Sequence, residues 1–208
     1  MTALVMGWIF PVLVAWNMGG GWLSGFEIPV VDAGGAAPIH ILGGVIGLYG
    51  TSLLRPRIGK FAEEETLIHL YERSLKKKVA PEDFDWGNPF LATIGGVFIY
   101  IGLSFVNAAL SPTMIIAGKA FLNSTISASI SCFIALIWRA SFTKKMFSYY
   151  SAVTFGTLSG IVSVSAGCQN IEPWEALIIG AIGSFAYSIS SFYFRKNNID
   201  DPNEAISS

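Results

Sequence analysis

The nineteen residues from Ala36 to Leu54 form an apolar stretch that contains one histidine, His40, and no formally charged side chain. At about 1.5 Å per residue, a helix of this length covers most of the roughly 30 Å hydrocarbon core of a bilayer. An ionisable group at that depth is costly, so we expect His40 to face a protein-lined path rather than lipid. Asp32 stands just before the same stretch. An acid at the mouth of a path and an imidazole inside it suit a small polar or cationic solute, which indicates transport.

The composition is that of a membrane protein. Hydrophobic residues make up 52% of the chain, charged residues 13%, and the mean hydropathy is +0.56, which is too apolar for an ordinary soluble domain. The pattern predicts an all-α, polytopic membrane helix bundle with about five to six transmembrane helices. The predicted segments are Met1 to about Trp16, Ala36 to Leu54, about Pro89 to Leu110, about Met114 to Trp138, about Tyr149 to Gly167, and Trp174 to Phe194.

Basic residues are distributed unevenly between the two sides of this topology. Twelve of the 13 Lys and Arg residues follow the second, fourth or sixth segment, and Lys119 is the exception. By the positive-inside rule, the long loop at residues 55–88 and the C-terminus are predicted to be cytoplasmic. Asp32 then faces outside, with Glu27, Glu172 and Glu175 on the same side. The loop is long enough for a short helix of its own at residues 63–78.

Small residues recur at steps of three or four residues, close to one helix face, within the segments. They are Gly43 with Gly47 and Gly50, Gly156 with Gly160, and Ala176 with Gly180 and Ser184. Such stripes let helix backbones approach closely in a membrane, so they predict a packed bundle. Polar residues such as Asn107 and Asn123 either bridge helices or line a pore, and we favour bridging for most of them.

The sequence does not support nucleic-acid binding, metal binding or catalysis. The net charge of −1 does not indicate nucleic-acid binding. Cys132 and Cys168 have no metal-ligand spacing, and we expect both to be small membrane-buried residues. The chain has no phosphate-binding glycine loop, HExxH or GxSxG motif. We therefore predict no enzyme activity, no cofactor and no metal site.

Ordered motifs along nearly the whole chain resemble the ammonium transporter (Amt/Rh) family. The first is the stretch AWNMGGGWLSGFEIPVVDAGGAAPIHILGGVIGLYGTSLLRPRIGKF, with its Asp-to-His step of eight residues and its exit at Arg55 to Gly59. AFLNSTISA, SAGCQNIEPWEALIIGAIGSFAY and IDDP match later family segments. The chain is accordingly identified as a partial ammonium transporter domain over residues 1–208.

The resemblance implies an eleven-helix fold that assembles as a homotrimer, with one pore per subunit between two inverted halves. This chain corresponds to helices four to nine. His40 matches the first of the family's twin pore histidines, and Asp32 matches an aspartate near the outer vestibule. The second histidine would follow Asp200-Asp201-Pro202, but the chain ends first. We therefore expect these 208 residues not to conduct on their own.

Several positions depart from the family pattern. Met18 replaces the vestibule tryptophan, which removes a cation–π surface, and Trp16 matches a family tryptophan on a different helix face. Val106 replaces a gate aromatic, and Leu103 and Asn107 lie in the same candidate pore-lining run.

Two roles remain open for Asp32. The carboxylate can recruit a cation at the outer vestibule, or it can cap the helix start by accepting N–H groups from the turn at residues 33–37. The two roles are compatible.

The implied function is the conduction of ammonium or ammonia, with ammonium gathered outside, its proton separated, and ammonia passed along an apolar lumen. A neutral imidazole offers one N–H and one bare nitrogen, which suits a hydrogen-bonding relay. The implied partners are ammonium, the lipid bilayer and, in a complete protein, two further copies of the chain. The alternative is a non-conducting relative that acts as a sensor or regulatory subunit. A membrane enzyme has no supporting residues.

Overall fold

We describe the protein from a computed structural model, which describes residues 2–57, 60–61, 87–142, 146–202, 204 and 206–208. Every regular element in these ranges is helical. The predicted short helix at residues 63–78, and most of the predicted loop at 55–88, lie outside the described residues.

The described ranges contain six helical segments, which we number α1 to α6. Helix α1 consists of Thr2–Leu4, a π-helical turn at Val5–Ile9, and Phe10–Asn17. Helix α2 begins as a π-helix at Ala36–Ile41 and continues as an α-helix at Leu42–Leu54. The others are α3 at Pro89–Ala109, α4 at Met114–Phe142, α5 at Met146–Val164 and α6 at Pro173–Lys196. A single 3-10 turn, Trp22–Ser24, lies between α1 and α2.

Helix starts are set by local chemistry. Asn88 caps α3, because its side chain accepts a hydrogen bond from the Leu91 backbone N–H at 3.0 Å, and Pro89 follows at the first helical position. At α6, the Glu175 side chain accepts the Glu172 backbone N–H at 2.7 Å, in a capping-box arrangement. In α1, Pro11 lacks an N–H and crowds the preceding turn, which accounts for the π-helical turn just before it.

The helices form a bundle with α5 at its centre. Helix α5 contacts α3, α4 and α6, and α4 packs most extensively against α5 and α6. The hairpin of α1 and α2 reaches α5 through the π-helical start of α2. Within the described residues, four helices are long and apolar enough to cross a membrane, namely 36–54, α3, α4 and α6. Helix α5 is richer in Ser and Thr because three neighbouring helices, rather than lipid, surround it.

The predicted small-residue packing is present in α5 and α6. A Cβ atom on Gly160 would lie 2.4 Å from the Ser127 carbonyl oxygen of α4, and one on Gly180 would lie 2.5 Å from the same atom. The Ser127 hydroxyl donates to the Gly160 carbonyl at 2.6 Å, and Ser184 donates to the Ser131 carbonyl at 2.8 Å. The missing side chains therefore let three backbones meet at α4.

In α2 the same signal has a different outcome. Among the described residues, nothing lies within 4 Å of a Cβ atom added to Gly43 or Gly50, and only the one on Gly47 meets a neighbour. The described part of this chain places no atom against Gly43 or Gly50, so the helix–helix packing expected there stays a prediction. Small residues at this spacing allow another helix to pack closely, but they do not identify which helix does so.

Successive loops lie at opposite ends of the bundle. At the end we call the Asp32 end, the backbone N–H groups of Ala33 and Gly34 donate to the carbonyls of Ala166 and Ser165, both at 2.9 Å. At the opposite end, which we call the Asp200 end, the Arg57 side chain lies 2.6 Å from Asp200. The chain therefore crosses the bundle with each helix, as the charge pattern requires.

Most predicted boundaries agree with the structure to within three residues. Helix α4 is longer and ends at Phe142 rather than near Trp138. Arg139 lies near the end of this helix, beyond the apolar run. Its buried side chain donates a hydrogen bond to Ser191 of α6, and this contact stabilises the additional helical turn. Helix α5 begins at Met146, about three residues earlier than predicted, and it ends at Val164 because the chain turns from residue 165.

Candidate functional site

Asp32 organises the start of α2. Its two carboxylate oxygens accept the backbone N–H groups of Ala36 at 2.6 Å and Ala37 at 2.8 Å. The Asn17 side-chain amide, at the end of α1, donates to the same carboxylate at 2.6 Å. These are the helix-start contacts considered above for this residue, and they also join the two helices of the hairpin. Asp32 is half-buried, so solvent partly screens its charge. Both of its carboxylate oxygens already accept hydrogen bonds from these groups.

His40 lies in the π-helical turn that Asp32 begins. The imidazole is half-buried, and its Nε2 is 3.5 Å from the Ser165 hydroxyl oxygen, at the outer limit for a hydrogen bond. Ser165 donates its own proton to the Ile161 carbonyl at 2.8 Å. Its oxygen is then an acceptor for His40, which favours the tautomer with the proton on Nε2 and a bare Nδ1. A π-helical turn often marks a functional position, and here it carries the histidine.

The loop before His40 is fastened to the end of α5 and the turn that follows. Gly34 is buried, and a Cβ atom there would lie 2.4 Å from the Asn107 side-chain oxygen and 2.6 Å from the Ser165 carbonyl oxygen. Gln169 adds a contact of 3.4 Å to the Ala33 carbonyl. Only glycine fits at position 34, so the backbone itself brings Asp32, His40 and Ser165 to one end of the bundle.

Asn107 is fully buried between helices. Its amide donates to the Ser124 hydroxyl of α4 at 2.9 Å, and its backbone carbonyl accepts from the Cys168 thiol at 3.6 Å. Both contacts bridge packed elements. The predicted pore-lining role of Asn107 stays a prediction.

The other candidate residues lie on α1 and α3. Trp16 is 43% exposed and stacks edge-to-face on Trp22, with ring centroids 6.0 Å apart, while Met18 ends α1 and is 39% exposed. Leu103 packs against the buried cluster around Tyr187, whereas Val106 is 37% exposed. The vestibule and pore roles of these residues also stay predictions.

Sequence reasoning missed a charged cluster at the Asp200 end. Glu204 is buried, and it is contacted by Arg139 at 3.2 Å and, more closely, by the Tyr187 hydroxyl and Arg195. The signal available beforehand was Arg139 itself, a cation at the end of an apolar segment with no acid near it in sequence. Burial opposes the charge of Glu204, but Arg139 and Arg195 outweigh it and hold the pKa of this carboxyl below its ordinary value.

Asp200 forms a second cluster at this end. Its carboxylate lies 2.6 Å from Arg57 and 2.8 Å from Lys60, and it also accepts the Arg57 backbone N–H at 3.1 Å. Burial alone would raise the pKa of Asp200. The hydrogen bonds from Arg57 and Lys60 have a larger, opposite effect and hold this pKa well below its ordinary value. This cluster ties the end of α2 to the segment after α6. Within the described ranges, no group of three or more His, Cys, Asp or Glu residues is placed to hold a metal ion.

Comparisons with known proteins place the chain in a family. Residues 1–207 match the family model described as "Ammonium Transporter Family". The chain is 30% identical to ammonium transporter 3 of Dictyostelium discoideum, over 93% of this chain and 43% of that protein. It is 26% identical to ammonium transporter Amt2 of Archaeoglobus fulgidus, over 96% of this chain and 42% of that protein. The chain thus spans less than half the length of these relatives.

Solved structures give the same result. A structure described as "Sensor Amt Protein" superposes with a TM-score of 0.79 at 25% identity, covering 99% of this chain and 49% of that one. Mep2 of Saccharomyces cerevisiae superposes with a TM-score of 0.61 at 18% identity, over 90% of this chain and 37% of that one, which shows the fold alone. The relatives are named as transporters and not as enzymes. The helical bundle is a multi-pass membrane protein, and the chain belongs to the ammonium transporter family.

Proposed function

We propose that this chain supplies one wall of a path that conducts ammonium or ammonia across a membrane. The observation that carries the proposal is the placement of His40. It lies half-buried in an apolar helix, immediately inside the Asp32 helix start, with Ser165 oriented as its acceptor. Membership of the ammonium transporter family supports ammonium or ammonia as the solute.

In the proposed path, the two ionisable groups act at successive depths. Both Asp32 oxygens already accept hydrogen bonds, so the carboxylate attracts a cation through its field rather than by direct coordination. An ammonium ion pays a large desolvation cost in an apolar lumen, which favours separation of its proton and passage as ammonia. His40 would then present its bare Nδ1 to a donor, while Nε2 is turned to Ser165.

We further propose that the Asp200 end faces the cytoplasm of a cell membrane. Its described basic residues include Arg57, Lys60, Arg139 and Arg195, all in ion pairs at this end, whereas Lys119 pairs with Glu172 at the Asp32 end. The positive-inside rule supports this orientation. In a complete protein we expect a homotrimer surrounded by lipid.

A second candidate function is that of a non-conducting sensor or regulatory subunit. Two features favour it. The structural neighbour with a TM-score of 0.79 is described as a sensor, and Met18 and Val106 stand where the family resemblance expects aromatic rings. Ammonium binding without flux would distinguish this alternative from conduction.

The test is a chimera in which the aligned part of Amt2 of Archaeoglobus fulgidus is replaced by this chain. Ammonium and methylammonium flux into vesicles is measured and normalised to folded protein. Loss of one hydrogen-bond partner in a dry site costs about 1–3 kcal/mol, so we expect His40→Ala to lower flux by roughly 5- to 150-fold.

Ile41→Ala is the matched control, because it removes a neighbouring side chain that is 63% exposed. A folded chimera that binds ammonium without flux would favour the sensor function. Full flux and unchanged selectivity in the His40→Ala protein would make His40 a packing residue.

A further inference from the structure

A crevice of about 250 Å³ lies between α3, α4 and α5. Val97 of α3 and Ser129 of α4 border it and are exposed, whereas Gly96 of α3 and Thr154 of α5 border it and are buried. The crevice is therefore open between α3 and α4 and closed on the side of α5.

Thr154 carries a hydroxyl without a partner on the closed side of this crevice. The residue is only 7% exposed, and within the described part of the chain its Oγ1 makes no hydrogen bond. Its methyl group packs on α3, since a Cβ atom on Gly96 would lie 2.5 Å from Cγ2 of Thr154. A buried hydroxyl that lacks a partner is unfavourable, so a molecule in the crevice that bonds to it would gain affinity.

The hydroxyl groups elsewhere along the crevice are already engaged as donors. Thr93, Ser129 and Thr157 each donate to a backbone carbonyl of their own helix, at 2.9, 2.7 and 2.6 Å. A hydroxyl oxygen that donates its proton in this way can still accept a hydrogen bond. The crevice thus offers one unengaged O–H group, on Thr154, beside several acceptors.

The rest of the lining is apolar, and none of the described residues that line the crevice is charged. A charged ligand would lose its hydration there without gaining a counter-charge, which is costly. The volume exceeds the roughly 150 Å³ of an apolar cavity that holds benzene. The crevice therefore suits an uncharged molecule that is larger than benzene and carries one hydrogen-bonding group.

We propose that this crevice is a binding site for a neutral, lipid-soluble alcohol that enters from the bilayer. The ligand hydroxyl accepts from Thr154 and donates to the oxygen of Thr157, which lies three residues further along the same face of α5, while the apolar body lies between α3 and α4. The site is separate from His40. Thr154 precedes Ser165, the residue that contacts His40, by a distance of about 16 Å along α5.

The probe is n-octanol, and n-octane is the matched molecule that lacks the hydroxyl. An octanol that carries a photoreactive diazirine is added to this chain in lipid vesicles, and the labelled residues are identified by mass spectrometry. We expect the label on residues that line the crevice, such as Val97 and Cys132. At equal mole fraction in the lipid, octanol should displace the label about 5- to 10-fold more effectively than octane, which is the value of one neutral hydrogen bond.

Thr154→Val removes the hydroxyl and keeps the shape of the side chain. In this variant the half-maximal octanol concentration should rise about 5- to 10-fold and that of octane should not change, while Thr154→Ser should retain most of the octanol binding. Thr93→Val is the matched control, because Thr93 lines the same crevice but already donates its proton within α3. It should change octanol binding by less than about twofold.

Thermal unfolding shows whether the Thr154→Val protein is folded. Loss of an unpartnered buried hydroxyl should leave its melting temperature equal to or above that of the native protein. Saturating octanol should then raise the melting temperature of the native protein more than that of the variant, because a ligand stabilises the folded state according to its affinity.

Three results would overturn the proposal: equal displacement by octanol and octane, an unchanged octanol response in the folded Thr154→Val protein, or a label that lies outside the crevice. A label that is present in this chain and absent from the folded chimera would overturn it as well, because another part of the complete protein would then cover the crevice. None of these measurements depends on flux, so they stand apart from the test of the proposed function.

Discussion

Replacing Glu204 by alanine removes the carboxylate that neutralises Arg139 at the Asp200 end. In the native protein this carboxylate is contacted by Arg139 at 3.2 Å and by Arg195 and Tyr187. The variant leaves the Arg139 guanidinium in a site where its side chain is only 8% exposed. Water therefore has little access with which to replace the lost partner.

The expected cost follows from that burial. Breaking a buried ion pair by removing one partner typically costs about 3–5 kcal/mol. Arg139 keeps its hydrogen bond to Ser191 at 2.9 Å, so we expect about 3 kcal/mol, at the lower end of this range. For a chain of this size, each kcal/mol shifts the melting temperature by about 2–4 °C, which predicts a loss of about 6–12 °C.

The assay is thermal unfolding in detergent, followed by tryptophan fluorescence. All variants are scanned at the same heating rate, because unfolding that ends in aggregation gives a rate-dependent midpoint. Lys119→Met is the matched control. It breaks a pair whose partner, Glu172, has a 60% exposed side chain, so it should cost no more than about 1 kcal/mol.

A double-mutant cycle makes the prediction specific. Once Arg139 is replaced by methionine, removal of the Glu204 carboxylate should cost much less than in the native protein, because the buried charge is already gone. A Glu204→Ala protein that melts within about 2 °C of the native protein would refute the reasoning that this cluster is a tightly coupled, desolvated unit.

Two further predictions concern acid stability and orientation. The pKa of Asp200 is lowered on folding, so its contribution to the free energy of unfolding is present above its ordinary pKa of about 3.9 and is lost as the pH falls below that value. Asp200→Asn should therefore flatten the acid limb of the stability curve, and an equally steep limb would exclude this origin. If the Asp32 end faces outside, an impermeant thiol reagent added to cells should label Asn170→Cys and spare Leu75→Cys in a cysteine-free background, and the reverse pattern would invert the topology.

The order of the helices in the described ranges could be predicted from the sequence because each apolar run is long and each break is polar. The start of α2 shows why this works: Asp32 and the glycines after it leave few local alternatives for the chain. The four-residue steps at Gly160 and Gly180 likewise predicted close packing that the structure contains. In these cases the determinants lie within a few residues of each other.

The interactions that sequence reasoning missed join residues far apart in the chain. Arg139 and Glu204 are separated by 65 positions, and His40 and Ser165 by 125. Local patterns carry no information about such pairs, because the partner depends on which helices are neighbours. Gly43 and Gly50 also show that a local pattern does not identify a partner. The small residues are present, but no described atom lies within 4 Å of a Cβ atom added at either position.

The two charged ends of α2 act on the same histidine-bearing helix in different ways. At one end, both carboxylate oxygens of Asp32 accept hydrogen bonds from backbone N–H groups and Asn17, which fixes where the helix starts. The carboxylate can then attract a cation only through its electric field. At the other end, Asp200 holds Arg57 and Lys60 just beyond the last turn. Little of helix α2 is buried by the described residues, so these polar contacts at its two ends set the height of His40 relative to Ser165. A substitution at either end is then expected to act on His40 through the position of the helix, without touching the imidazole.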